Sequence, residues 1–228
     1  MKKIFIIANW KSNKNVSESN HWLQEFSIFN FPSNSAGRQI SNEKEVIICP
    51  PFTLLPTMKW YIETKKLPVK LGSQNISPFE AGAYTGEVNA EQIKELADYV
   101  IIGHSERRNN FGETDEMLMQ KVKMALKAGL IPIYCIQDEN TLVPEGVSLV
   151  AYEPLTAIGT GNPDTPENAE RVANKVKQRS RDIKHILYGG SVTADNVRNF
   201  TSLPSIDGVL VGSVSLGPAK FTDLIKNA

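Results

Sequence analysis

The chain reads as short apolar runs rich in β-branched residues, set apart by longer segments whose apolar positions recur at helical spacing. Eight such runs stand out: Ile4–Asn9, Glu45–Cys49, Val69–Ser73, Tyr99–Ile102, Ile131–Cys135, Ser148–Tyr152, His185–Tyr188 and Asp207–Val211. The segments between them carry helix-start signals: Ser17, Thr53 before Leu54-Leu55, Thr114 with Asp115-Glu116, Thr165 with Pro166-Glu167, and Thr193 with Asp195. Strands that alternate with helices predict a parallel sheet. With no Ser/Pro/Gly linker and no shift of composition, eight strands predict one α/β domain over residues 1–228, a single closed (β/α)8 barrel. An open doubly wound sheet is the structural alternative.

One interval breaks the rhythm. Residues 136–147 are too few and too punctuated by Pro144 and Gly146 for a full crossover helix with its loops, which needs roughly 10–12 residues at minimum. The helix after strand five is therefore predicted to be shortened or missing, replaced by a stub or an extended crossover. That predicts a thin outer face, covered by a partner or left to solvent.

Composition narrows the partners. The 25 Lys+Arg balance the 25 Asp+Glu, so there is no basic field for a nucleic acid backbone and any anion must be held locally. Cys49 and Cys135 both sit inside apolar runs and read as reduced, buried thiols, not a disulfide framework. The apolar stretch after Lys2-Lys3 is too short for a signal segment, and no run approaches a membrane span. A cytoplasmic protein with no membrane partner is expected.

In such a barrel the site lies at the carboxyl ends of the strands. The sixth run ends on Glu153, followed by Pro154 and by Gly159 and Gly161, so a carboxylate stands at a pocket mouth beside a glycine-rich loop. That pairing points to proton transfer shielded from water. The first run closes in Asn9-Trp10-Lys11, and alternation along a strand puts Asn9 and Lys11 on one side and Trp10 on the other. The fourth ends in Gly103, which permits a tight turn, and delivers His104-Ser105-Glu106-Arg107-Arg108 where a short helical turn can begin. His21 and His185 lack such neighbours and read as a helix-surface and a strand-start residue. Tyr188-Gly189-Gly190-Ser191 after the seventh run, and Gly212-Ser213 after the eighth, can offer backbone N–H groups to a phosphate.

Together, Asn9-Trp10-Lys11, the segment Ile102 to Arg108, Ala151-Tyr152-Glu153-Pro154, Ala157 to Gly161 and Tyr188 to Val192 resemble triosephosphate isomerase, in order and nearly end to end. The resemblance implies a TIM barrel that interconverts dihydroxyacetone phosphate and D-glyceraldehyde 3-phosphate by proton transfer through an enediol(ate). The step belongs to glycolysis and gluconeogenesis, with no metal or organic cofactor. It implies Glu153 as the base and His104 as the neutral electrophile on the carbonyl, a pairing for which this family is itself the standard example, as it is for a closing lid. Lys11 would balance substrate and enediolate charge, Asn9 would donate to the same oxygen, and Glu106 would support them. Gly159, Ser191, Gly212 and Ser213 would hold the phosphate by backbone N–H groups, while Ile158 in the lid, facing Leu210, would exclude water.

Residues 74–87 resemble the family's interdigitating third loop. The resemblance implies a homodimer in which Thr85 lies near Asn9 of the partner subunit and Glu87, or its backbone, links to Arg107. The pattern departs at the hinges, with Pro154-Leu155-Thr156 where the family usually has Trp third, and Asn162-Pro163-Asp164 for a Lys-Thr-Ala-like sequence. Ser213 replaces a common glycine, which requires a negative φ there. Cys135-Ile136-Gln137-Asp138 replaces Cys-Val-Gly-Glu, and Asp138 is too short to support the site as Glu would. A barrel that merely binds phosphate has no use for a base opposite an electrophile. Other phosphate-binding barrel enzymes, such as those of amino acid biosynthesis, lack this combination at strands one, four and six.

Overall fold

The computed structural model describes residues 2–30, 43–155, 157 and 162–228. Eight parallel strands close into a barrel in chain order: β1 (Ile4–Asn9), β2 (Lys44–Cys49), β3 (Val69–Ser73), β4 (Tyr99–Ile102), β5 (Ile131–Ile136), β6 (Leu149–Tyr152), β7 (His185–Tyr188) and β8 (Gly208–Val211). Closure is made by β8 against β1, with Ile7 opposite Leu210. The strands read as continuously apolar because both faces are covered. Inward-facing Phe5, Ile7, Ile47, Ile101, Ile133 and Leu187 fill the barrel, while outward-facing Ile6, Ala8, Val46, Val100, Val150 and Val209 lie in the layer beneath the helices. Cys49 and Cys135 are free and buried, as their apolar surroundings predict.

Among the described residues the helices are α1 (Val16–Asn30), α2 (Leu55–Lys65), α3 (Ala90–Lys94), α4 (Ser105–Phe111), α5 (Asp115–Lys127), α6 (Pro166–Arg179), α7 (Val197–Thr201) and α8 (Pro218–Asn227). Thr114 and Thr165 cap α5 and α6 as read from the sequence, their hydroxyls accepting from Met117 N at 3.3 Å and Asn168 N at 3.2 Å. Three other predicted starts are corrected. Asn15, not Ser17, caps α1, because Asn15 Oδ1 takes Glu18 N while Glu18 Oε2 takes Asn15 N, a reciprocal pair that Ser17 cannot offer. Thr53 lies inside a 3-10 turn, Phe52–Leu54, that has no side-chain cap. The N–H of Thr193 is spent on Asn196 Oδ1 at 2.8 Å, and α7 begins only at Val197. The reading missed α3, whose capping box is Asn89 and Gln92.

No helix lies between β5 and β6. The crossover is extended, and Asp138 starts it by accepting from Asn140 N and Thr141 N, each at 2.8 Å, so its carboxylate folds a turn. Arg171, Lys175 and Arg179, spaced four apart on one face of α6, grip the segment. Arg171 Nη1 and Lys175 Nζ reach Glu139 Oε1 at 2.8 and 3.1 Å, and Arg179 Nη1 donates to the carbonyls of Glu139 and Thr141 at 2.6 and 2.9 Å. Hydrogen bonds from Arg171 first, then Lys175, hold the Glu139 carboxyl down at about 2. The predicted bare face is therefore corrected: outward-facing Tyr134 and Tyr152 are buried, as is Val147 from the crossover itself. Leu142 and Ile131 alone stay exposed among the large apolar side chains of 131–148.

Candidate active site

The carboxyl ends of the strands open into a cavity of about 980 Å³ lined by Asn9, Lys11, His104, Glu153, Ser191, Leu210, Gly212 and Ser213, among others. The cavity thus gathers residues separated by some 200 positions of sequence. Ile158 and Gly159 lie outside the described residues, as does Thr156 of the near hinge.

Glu153 emerges from β6 into the cavity floor and is buried. Its Oε2 accepts from Ser105 N at 2.9 Å and Ser105 Oγ at 2.8 Å, while Oε1 lies 3.3 Å from His104 Nε2. Charged acceptors satisfied this way tolerate burial. Gly189 leaves room for it, since a Cβ there would stand 2.8 Å from Glu153 Cγ. Ser105, part of the strand-four motif, had no role assigned from sequence; its place one residue after His104 was the available signal.

His104 follows Gly103, whose φ of +74° makes the tight turn the sequence predicted, and it occupies the N-cap of α4. Its Nδ1 accepts from Glu106 N at 3.2 Å. A ring nitrogen that accepts a backbone N–H leaves the proton on Nε2, and Nε2 is the atom that faces the cavity. The sequence readings of the other histidines hold: His21 is on the exposed side of α1 and His185 opens β7.

Lys11 lies just past β1 with φ of 51°, a left-handed conformation that costs a non-glycine residue energy and persists only when its surroundings impose it. They do so here. Lys11 N donates to Asn9 Oδ1 at 3.0 Å, and Gln74 Nε2 donates to Lys11 O at 3.0 Å and to Cys49 O at 2.8 Å, tying the loop to β2. Gln74 opens the third loop, and its part in this clamp is visible only in three dimensions. Lys11 Nζ meets Glu106 Oε1 at 2.6 Å, which places Glu106 beneath both Lys11 and His104.

Past β8, Ser213 is not among the described residues of positive φ; it opens a 3-10 turn, Ser213–Leu216, and lines the cavity. Ser191 Oγ donates to Ala157 O at 2.7 Å, joining the loop after β7 to the segment after Glu153. Leu210 is buried in the β8 wall.

The third loop is rooted by buried Ile76 and Ser77, whose N–H donates to Val88 O at 2.9 Å. Its tip, with Thr85 and Glu87, is exposed, and there Phe79 and Tyr84 stack at 4.2 Å while 45% and 44% exposed. Arg107 does not reach Glu87 within the chain; its Nε donates to Glu113 Oε1 at 2.6 Å, and the same carboxylate binds the buried Lys121. Burial lowers the Lys121 pKa despite Glu113.

The profile of the triosephosphate isomerase family matches residues 4–228. The triosephosphate isomerase of Mesomycoplasma hyopneumoniae strain 7448 is 38% identical over 249 aligned positions, covering 100% of both chains. That of Dictyoglomus thermophilum is 38% identical, also across 100% of both, and that of Aquifex aeolicus is 36% identical over 96% of this chain and 97% of its own. A closed eight-stranded barrel, a carboxylate facing a histidine across its mouth, and full-length similarity agree: this chain belongs to the triosephosphate isomerase family.

Proposed function

We propose that the chain interconverts dihydroxyacetone phosphate and D-glyceraldehyde 3-phosphate with Glu153 as the proton carrier. The observation that supports this most directly is Glu153 Oε1 facing His104 Nε2 at 3.3 Å inside a cavity that Lys11 and Asn9 also line. The ketose loses a proton from C1 to the Glu153 carboxylate, and the C–H electron pair forms the C1–C2 double bond of the enediolate. Negative charge arrives on the former carbonyl oxygen, where His104 Nε2–H, Lys11 Nζ and the Asn9 amide form a preorganised donor set. Glu153 then returns the proton to C2 while the C1 hydroxyl proton passes, by way of His104 Nε2, to the oxygen on C2; C1=O forms and the aldose is released, so atoms and charge balance without an external reagent. Backbone N–H groups of Ser191, Gly212 and Ser213 are the phosphate ligands in this reading, together with Gly159. Leu210, with Ile158, supplies the apolar cover that keeps water from the enediolate.

The proton carrier must leave Ser105 to reach the substrate carbons, and Ser105 is then its resting partner between turnovers. The exposed Phe79–Tyr84 pair and the uncharged run 81–86 support a homodimer built on loop 74–87, with Thr85 and Glu87 in the interface beside Arg107. A cytoplasmic place in glycolysis and gluconeogenesis goes with that chemistry, and no described helix is long and apolar enough to cross a membrane. A coupled assay on purified protein with glyceraldehyde 3-phosphate tests the activity; turnover no faster than the buffer reaction would refute it. Sedimentation at micromolar concentration tests the dimer, and a fully active monomer would refute the loop assignment.

A further inference from the structure

Asp164 stands where the connection after β6 meets α6, one residue before the cap Thr165. Oδ1 accepts from Thr165 N at 2.8 Å, whereas Oδ2 accepts from Asn168 Nδ2 at 2.6 Å and from Tyr152 Oη at 3.1 Å. The Asp164 N–H donates to Tyr188 Oη at 2.7 Å. Thr165 already caps α6 through its own hydroxyl, so the bond to Tyr152 is surplus to capping.

The two phenols stand on the outer face of β6 and β7, edge to face at 6.4 Å, and Tyr188 stacks on Phe200 at 3.9 Å. Tyr152 immediately precedes Glu153, and alternation sends the phenol outward and the carboxylate inward. The two side chains flank one peptide unit, so a rotation of the strand end that moves one moves the other. Backbone bonds hold that unit from both neighbours, Glu153 N to Ile136 O at 2.8 Å and Gly189 N to Tyr152 O at 2.7 Å. There the ladder stops, because Pro154 has no N–H to continue it. On the outer face the phenol is held by Asp164, and Asn168 passes that restraint on to Arg171 through Oδ1 at 2.8 Å, hence to Glu139 on the crossover.

We propose that Asp164 is a positioning residue for Glu153, acting through the Tyr152 phenol; the inference rests on Glu153 being the proton carrier. Fixing the phenol fixes the tilt of the last peptide of β6 and with it the line along which the carboxylate swings from Ser105 to the substrate.

The test is steady-state kinetics of the purified full chain with glyceraldehyde 3-phosphate. Tyr152→Phe and Asp164→Ala are expected to lower kcat about tenfold with KM within about twofold, the signature of a misplaced base where ~1 Å can cost up to ~100-fold. The double variant should be no slower than the slower single one, since both break one interaction. Asp164→Asn keeps an oxygen for the phenol and should restore kcat to within about threefold of wild type. Tyr152→Phe keeps the ring and its packing, so it reads the hydrogen bond even where Asp164→Ala folds poorly. A role confined to the helix predicts a lower Tm for Asp164→Ala with kcat per folded molecule unchanged, and full activity in Tyr152→Phe; that result overturns the proposal. Glu153→Gln in the same assay separates the two layers. Full activity there removes the premise itself, whereas its loss beside unaltered kcat in both other variants removes only the positioning role.

Discussion

Gly189→Ala puts a single methyl group against the Glu153 side chain, the proposed base. The added Cβ would lie 2.8 Å from Glu153 Cγ and 3.1 Å from Tyr152 O. Non-bonded carbons settle at about 3.5–4.0 Å, so the Glu153 side chain must move by roughly 0.7–1.2 Å or the β7 loop must retreat by as much. A displacement of ~1 Å at a reacting group costs up to ~100-fold, which puts the expected fall in kcat at about 10- to 100-fold. Overpacking should also lower stability by about 1–3 kcal/mol, so thermal unfolding must be followed and kinetics taken well below Tm. The measurement is kcat and KM for glyceraldehyde 3-phosphate in the coupled assay. Gly217→Ala is the control, because at that position no atom would come nearer than 3.9 Å to the new Cβ and φ is −103°. A kcat for Gly189→Ala within about threefold of wild type would refute the claim that this close approach sets the position of the base.

Ser105→Ala removes one of the two Ser105 donors to the Glu153 carboxylate; a bond to a charged group is worth about 1.5–3 kcal/mol, to be read as a loss of stability in urea. Unchanged stability would show that the Ser105 hydroxyl does not hold the carboxylate. Lys121→Met leaves Glu113 buried with Arg107 as its remaining charge partner, and a cost of about 3 kcal/mol is expected from denaturant midpoints, with part recovered by adding Glu113→Leu. The Glu139 clamp depends on acid: its folded pKa of about 2 lies below the ordinary carboxylate value, so its stabilisation is complete above about pH 4.5 and is lost as pH falls from there toward 2. Protection of the amides of residues 137–147, taken relative to the intrinsic exchange rate at each pH, should fall over that window in wild type and already be low at neutral pH in Glu139→Gln; identical protection in the two proteins would contradict the clamp.

The strand ends were legible because a parallel barrel buries both faces of each strand, so the first polar residue after an apolar run marks the mouth. That rule singled out Asn9, Lys11, His104 and Glu153, which the fold brings to one cavity. Helix starts were legible where one capping residue stood alone, as at Thr114 and Thr165. They failed at Ser17, where Asn15 makes the reciprocal bond with Glu18, and at Thr193, whose N–H is taken by Asn196 Oδ1 ahead of a helix that has no side-chain cap. The missing helix after β5 could be counted from its length, but what covers that face could not, because Arg171, Lys175 and Arg179 come from the following helix and read locally as a solvated stripe. Ser105, Gln74 and Asp164 escaped for the same reason: each acts on a residue brought to it by the fold, Asp164 on a phenol 12 positions earlier and Gln74 on a carbonyl 63 positions away.

The central claim is that Glu153 carries the proton, and Glu153→Gln tests it with almost no change of shape. With wild type isomerising glyceraldehyde 3-phosphate in the coupled assay, the variant should lose about 10²–10⁴-fold in kcat while KM stays within a few-fold, since the amide fills the same space and cannot accept the proton. A Glu153→Gln enzyme as fast as wild type would contradict the account.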